Sequence, residues 1–199
     1  MKIIGLTGGS GSGKGMAGKL FSALGCSIID TDRLYHDMIE ADSPCSRAII
    51  ERFGKKVQND KGGIARACLA DIVFDKREEL ATLNSIAHTF IRAECDKLIS
   101  SHKEAGTEIL IIDAPQLFEA GMQDICDATV AVVCEKQTRI KRICSRDGIS
   151  TLKASARIAA QKSDAFFVGN CDFIIENNSD AAHLLLNVKK VLDKIKDLK

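Results

Sequence analysis

Five short apolar runs punctuate the chain, each bounded by turn-forming residues: Lys2 to Leu6, Cys26 to Asp30, Ile109 to Ile112, Ala128 to Cys134 and Phe173 to Ile175. Runs of this length and continuity predict strands buried on both faces. Between them the apolar period changes. Met16, Ala17, Leu20, Phe21 and Leu24 recur at helical spacing, and Gly25 stands where a helix C-cap glycine belongs. Thr31-Asp32-Arg33 opens a helix to about Glu40. Ser43-Pro44 supplies an N-cap and a first-turn proline for a helix that runs to Phe53 and stops at Gly54. Asn59 to Gly63 is turn chemistry. From Ile64 to about Ser101 the pattern is helical, with a break near Phe74-Asp75, and Asn177 to Asp180 opens a C-terminal helix. Strands alternating with helices predict parallel β-α units in a layered α/β core. The helical stretch from about 35 to 105 carries no strand signal, so it is expected to be an insertion that binds a second substrate.

The first strand runs into Thr7-Gly8-Gly9-Ser10-Gly11-Ser12-Gly13-Lys14, where Gly8, Gly13 and Lys14 stand at the G-x-x-x-x-G-K spacing of a phosphate-binding loop. Glycines let the backbone turn with positive φ and approach a ligand closely, so that successive N–H groups form a nest for phosphate oxygens. The following helix offers its unpaired N–H groups and positive dipole end to the same anion. Gly9, Ser10, Gly11, Ser12, Gly13, Lys14, Gly15 and Met16 are therefore the expected nucleotide-binding residues.

Three acidic positions extend the site. Asp30 and Asp32 stand at the carboxyl end of the second strand, where ligands of open parallel sheets bind. One can take the proton of an acceptor hydroxyl and the other can serve a magnesium-bound phosphate, the alternative being that either caps the next helix. Asp113 closes the third strand, at the place of a magnesium-holding carboxylate, or is a turn residue before Pro115. After the fourth strand, Arg139, Lys141, Arg142 and Arg146 cluster at helical spacing, with 139, 142 and 146 on one face. A guanidinium there can chelate phosphate oxygens.

Composition narrows the partners. The sequence has 199 residues, with 28 basic against 27 acidic, a balance that argues against nucleic acid or a membrane surface. No run reaches the roughly 18 apolar residues of a membrane span. The eight cysteines, from Cys26 to Cys171, are scattered without a C-x-x-C, which points to reduced thiols in a cytoplasmic protein and away from a zinc site. The chain runs straight into its first strand with no signal-peptide pattern.

A phosphate loop alone does not separate kinases from GTPases or motor ATPases, but further segments do. The chain resembles the dephospho-CoA kinase family along nearly its whole length. The resemblance is carried by Thr7 to Lys14, by Asp30-Thr31-Asp32, by Gly63 to Leu69 with Arg66, and by Ile86 to Arg92 with His88. It continues through Asp113 to Glu119, Arg142 to Ser150, and Arg157-Ile158-Ala159-Ala160-Gln161. The resemblance implies transfer of the γ-phosphoryl group of ATP, with Mg²⁺, to the ribose 3′-hydroxyl of dephospho-CoA, giving CoA and ADP. It implies Asp32 as the base, with Lys14 and Arg142 acting on the phosphates and Arg146 and Asn177 near the nucleotide. Asp30 and Asp113 are the metal candidates, and Asp32, Arg66, His88 and Arg92 the acceptor candidates. The implied architecture is a P-loop kinase core with a five-stranded parallel sheet, formed by residues 1–34, 106–138 and 164–199. Residues 35–105 form the helical acceptor domain and 139–163 a helical lid. The partner is a small molecule, and the protein a monomer or small homo-oligomer.

The motif breaks at Gly15, where a Ser or Thr hydroxyl normally ligates magnesium. A water, or a hydroxyl of Ser12 or Thr7, can stand in; failing that, the chain is an impaired nucleotide-binding homologue. Another small P-loop kinase of the nucleoside monophosphate type is the remaining alternative. Thr89 and Gln116 are milder departures from the family pattern, which has Pro and Leu there.

Overall fold

The computed structural model describes residues 1–74 and 76–198. It divides into two compact units, one of Met1–Ile29 with Ala105–Lys199 and one of Asp30–Glu104. Residues 139–163 belong to the first unit and do not separate from it.

The first unit is built on a five-stranded sheet of β1 (Lys2–Thr7), β2 (Ser27–Asp30), β3 (Ile109–Asp113), β4 (Ala128–Val133) and β5 (Phe173–Glu176), in the order β2-β3-β1-β4-β5. β1 pairs in parallel with β3 and β4, and β4 with β5. The three inner strands are the most apolar. Every residue of β3 and β4 is buried, as expected of strands covered on both faces. Pleating sends alternate residues to opposite layers. Ile4, Leu6, Val130 and Val132 meet α1 (Lys14–Ala23) through Ala17 and Phe21. They also meet α9 (Ala181–Lys196) through Leu184, Val188 and Leu192. Ala131 and Val133 point the other way, onto Phe167 of α8 (Asp164–Asn170), where Phe166 makes an edge contact with Phe118 at 5.2 Å. Two polar ties fix the register of the ends. Thr129 donates its N–H and its hydroxyl to one Asp172 oxygen, both at 2.8 Å. The Lys2 ammonium caps the last turn of α9 at the Ile195 and Lys196 carbonyls. This unit also holds α6 (Lys136–Asp147) and α7 (Thr151–Ala159).

The second unit is helical, as the missing strand signal predicts. It holds α2 (Thr31–Glu40), α3 (Pro44–Phe53), α4 (Arg66–Val73) and α5 (Arg77–Glu104). Their ends follow local chemistry. Ser43 and Ser46 form a reciprocal capping box on either side of Pro44. The Asn59 side-chain carbonyl accepts the N–H groups of Lys61 and Gly63, closing the turn read from the sequence. Ile39, Cys45, Ile49, Phe53, Val57, Ile64, Leu69 and Leu83 make a separate core. Along α5 the buried residues Leu83, Ala87, Ile91 and Cys95 recur every fourth position, one stripe of a long helix. The expected break falls between α4 and α5, after the exposed Phe74; Asp75 lies outside the described residues.

All eight cysteines are free thiols. Burial pushes Cys45 up to about 11 and Cys95 up to about 12, so both stay protonated at neutral pH, whereas Cys68 is exposed on α4. Maleimide labelling of the native protein, followed by mass mapping, is expected to modify Cys68 first and to leave Cys45 and Cys95 intact until unfolding. Early labelling of Cys95 would contradict this packing.

Candidate active site

The loop between β1 and α1 lies at the carboxyl end of the central strand of the sheet. Its outer edge is held in unusual detail. The Ser10 carbonyl accepts from Arg139 Nε at 2.9 Å, and the Ser12 carbonyl accepts from the buried Asn177 amide at 2.7 Å. Arg142 Nη1 lies 3.4 Å from the Gly11 carbonyl and 3.3 Å from that of Ser12. A trans peptide points its C=O and the next N–H in opposite directions. Pinning the carbonyls of Ser10 and Ser12 outward therefore turns the N–H groups of Gly11 and Gly13 to the opposite face. The Lys14 and Gly15 N–H groups follow at the start of α1, where no preceding turn accepts them. This is the amide arrangement that a phosphate group needs.

The glycines of the loop have a second cause that the motif alone does not give. A Cβ on Gly9 would strike the Arg139 guanidinium, and one on Gly11 would come within 2.7 Å of the Arg139 carbonyl. One on Gly13 would strike the Asn177 amide. These three alternate positions all face the backing of the loop. Gly15 differs: nothing lies within 4 Å of the place a Cβ would take.

Lys14 reaches Asp113, the last residue of β3, and the two form an ion pair that is largely shielded from solvent. An ammonium and a carboxylate at the mouth of the cradle are the groups required beside the outer phosphates of a nucleotide and a cation. The hydroxyls weighed as substitutes for the one missing at Gly15 are placed elsewhere. Thr7 is buried and donates to the Pro115 carbonyl at 3.3 Å. Ser12 Oγ is buried against Gly8 with no hydrogen-bond partner among the described residues.

The basic helix α6 grades from inside to outside. Arg139 is 2% exposed, Arg142 is half-buried, and Arg146 is exposed and bonded to its neighbour Asp147 at 2.7 Å. Arg146 and Arg157 together hold the Asp147 carboxyl down at about 2. The shared face read from the sequence exists, but its first member backs the loop. The sequence carried a partial signal, since Arg139 precedes Ile143 by four residues on what proves the buried stripe of α6, but spacing does not give its depth. Cys134, after β4, lies 3.3 Å from Arg142 Nη1; burial pushes its thiol up while the Arg142 and Arg139 cations oppose that shift. The buried side chain of Asn177, expected only as a location near the nucleotide, proves to be a strut of the loop.

In the helical unit, Asp30 caps α2, its carboxylate accepting the Arg33 N–H at 3.0 Å. The geometry thus gives it the capping role weighed beside metal binding. Asp32 is exposed in the first turn of α2. Arg66 is exposed at the start of α4, His88 is half-buried on α5, and Arg92 pairs with Asp96 at 3.2 Å. Among the described residues there is no cluster of three or more His, Cys, Asp or Glu side chains suited to a metal, and no helix long and apolar enough to cross a membrane.

Comparison with known proteins identifies this arrangement. Residues 2–183 match the family model described as dephospho-CoA kinase. The dephospho-CoA kinase of Carboxydothermus hydrogenoformans is 36% identical over 98% of this chain and 95% of its own length. A crystal structure of a Thermus thermophilus protein is similar with a TM-score of 0.82 and 26% identity, covering 97% of each chain. The dephospho-CoA kinase from Campylobacter jejuni has the same fold, with a TM-score of 0.72 at 24% identity over 99% of this chain and 98% of that one. With its phosphate loop, its parallel core and a family match spanning nearly every element described, the chain belongs to the dephospho-CoA kinase family.

Proposed function

We propose that the chain moves the γ-phosphoryl group of ATP to the ribose 3′-hydroxyl of dephospho-CoA, with Asp32 as the base. The observation that carries this reading is the cradle, whose outward carbonyls leave amides and Lys14 for a triphosphate. Such chemistry asks the protein mainly for position and charge. The loop amides orient the phosphates. Lys14 exchanges its Asp113 partner for phosphate oxygens. Among the described residues Arg142 meets the loop and Cys134 through Nη1, which leaves other donors of its fork for the transferring group. Asp32 is exposed, at the place the family pattern gives the base; it receives the proton of the attacking hydroxyl as the new O–P bond forms. Arg66, His88 and Arg92 are assigned to the acceptor, whose pyrophosphate calls for cations. Arg146 joins the nucleotide-binding set only by releasing Asp147. Closure over the phosphates falls to the start of α7, because Arg139 and Arg142 tie α6 to the loop and Gln161 ties the segment after α7 to it.

Magnesium fits the donor set in part. Asp113 would supply a hard oxygen of the kind magnesium takes, while Gly15 offers none. Bound there, the ion would neutralise charge on the phosphates. Free thiols throughout suit a reducing, cytoplasmic setting. The near-neutral charge balance suits small-molecule partners over nucleic acid or membrane.

ADP release with ATP and Mg²⁺ is expected with dephospho-CoA and not with AMP, CMP or shikimate; equal turnover of AMP or CMP would overturn the acceptor assignment. Asp32→Asn is expected to lower kcat by about 10²- to 10⁴-fold while the ATP Kd stays within about threefold, the signature of a lost base. Near-normal turnover would remove Asp32 from that role. Gly15→Thr has room for its Cβ and is expected to strengthen the Mg²⁺-dependent part of ATP affinity by about one to two decades. Titration calorimetry with and without the ion measures this, and an unchanged difference would show that water already does the work of the hydroxyl.

A further inference from the structure

Arg139 is the most deeply buried cation at the site, yet it is turned away from the face where a phosphate would lie. Each nitrogen of its fork has a partner. Nε donates to the Ser10 carbonyl at 2.9 Å, Nη1 to Asp164 at 2.9 Å and Nη2 to Gln161 Oε1 at 3.2 Å. Gln161 Oε1 also accepts the Ser10 N–H at 2.9 Å. Both backbone groups of Ser10 are thus held in one closed ring through the guanidinium and the Gln161 amide. The guanidinium fills the space that any side chain at residue 9 would need, and the Arg139 backbone does the same at residue 11.

Stability alone does not explain such a residue. Burying a guanidinium costs desolvation that its pairing with the half-exposed Asp164 repays only in part, and apolar replacements of buried pairs are often neutral. Ile140 and Ile143, beside it on α6, show what the position would hold if packing were the only demand. What the guanidinium provides is direction, since a planar fork fixes several acceptors at once and an ammonium or an alkyl chain does not.

We propose that Arg139 is a positioning residue for phosphoryl transfer: with Gln161 and Asp164 it locks the Ser10 peptides and so aims the loop amides at the triphosphate. The inference rests on the kinase reading only in taking a triphosphate as the ligand; it concerns the cradle and not the acceptor. Its probe is therefore inorganic tripolyphosphate, which needs neither base nor acceptor.

By calorimetry, Arg139→Lys and the double variant Arg139→Gln/Asp164→Asn are both expected to weaken tripolyphosphate binding at least tenfold. In turnover they are expected to raise the KM for ATP by a similar factor and leave the KM for dephospho-CoA unchanged. The lysine variant discriminates, because it keeps the charge and loses the fork. Near-wild-type binding by Arg139→Lys would mean that charge alone acts, and would overturn the proposal. A parallel rise in both KM values would mark a merely structural residue and overturn it equally. Gln161→Ala, at an exposed position, guards against misfolding of the arginine variants; it is expected to weaken tripolyphosphate binding about threefold, and unchanged binding would count against the ring. Failure of the wild-type protein to use dephospho-CoA would instead strike the acceptor assignment and leave the tripolyphosphate result standing.

Discussion

The site depends on a constraint that acts behind the ligand. Successive peptides of the phosphate loop are oriented by side chains on their outer edge: Arg139 at Ser10, Arg142 at Gly11 and Ser12, and Asn177 at Ser12. Because peptide units are planar, fixing a carbonyl on one side fixes the next N–H on the other. The anion-binding face is therefore the reverse side of a wall built by α6 and the end of β5. Glycines alternate in the loop for the same reason, since the wall stands where side chains at 9, 11 and 13 would go.

The sheet supplies the frame for that wall. β1 lies between β3 and β4, so the loop leaves the sheet at its centre, with Asp113 on one neighbour and the Cys134–Arg142 contact beyond the other. Parallel pairing brings the carboxyl ends of these strands to one edge, where loops from distant parts of the sequence meet. Residues 14, 113, 139 with 142, and 177 come from distant parts of the chain and converge there. The Lys14–Asp113 pair shows the electrostatic logic. Each charge is largely shielded from water, and a buried charge without a partner is costly. The pair keeps both charges satisfied.

Gly15 marks the departure from the usual loop and gains a physical meaning in this setting. The alternate glycines are required by contact, whereas Gly15 faces open space. Thr7 is spent on Pro115 and Ser12 is tucked beneath Gly8, so neither hydroxyl takes the place of the missing one. The chain thus belongs to the kinase family while offering no side-chain hydroxyl at residue 15.

Much of this was legible in the residues. Apolar runs located the five strands to within a residue or two, because a strand buried on both faces leaves little room for polar side chains. Ser43-Pro44, Gly54 and the Asn59 turn marked boundaries through strictly local chemistry. The loop motif and the ordered family segments named the reaction. Three things were decided only in three dimensions: which cation of α6 faces the loop and which faces water, that Asn177 braces Ser12, and that Asp30 caps a helix. Helical spacing places arginines on a common face but does not say how deeply each is buried. That depth is set by what packs against the helix, and its neighbours here, Ser10, Gln161 and Asp164, come from other parts of the chain. The sequence by itself determined the elements and the chemistry; the folding of distant segments onto one loop decided the direction of its amides.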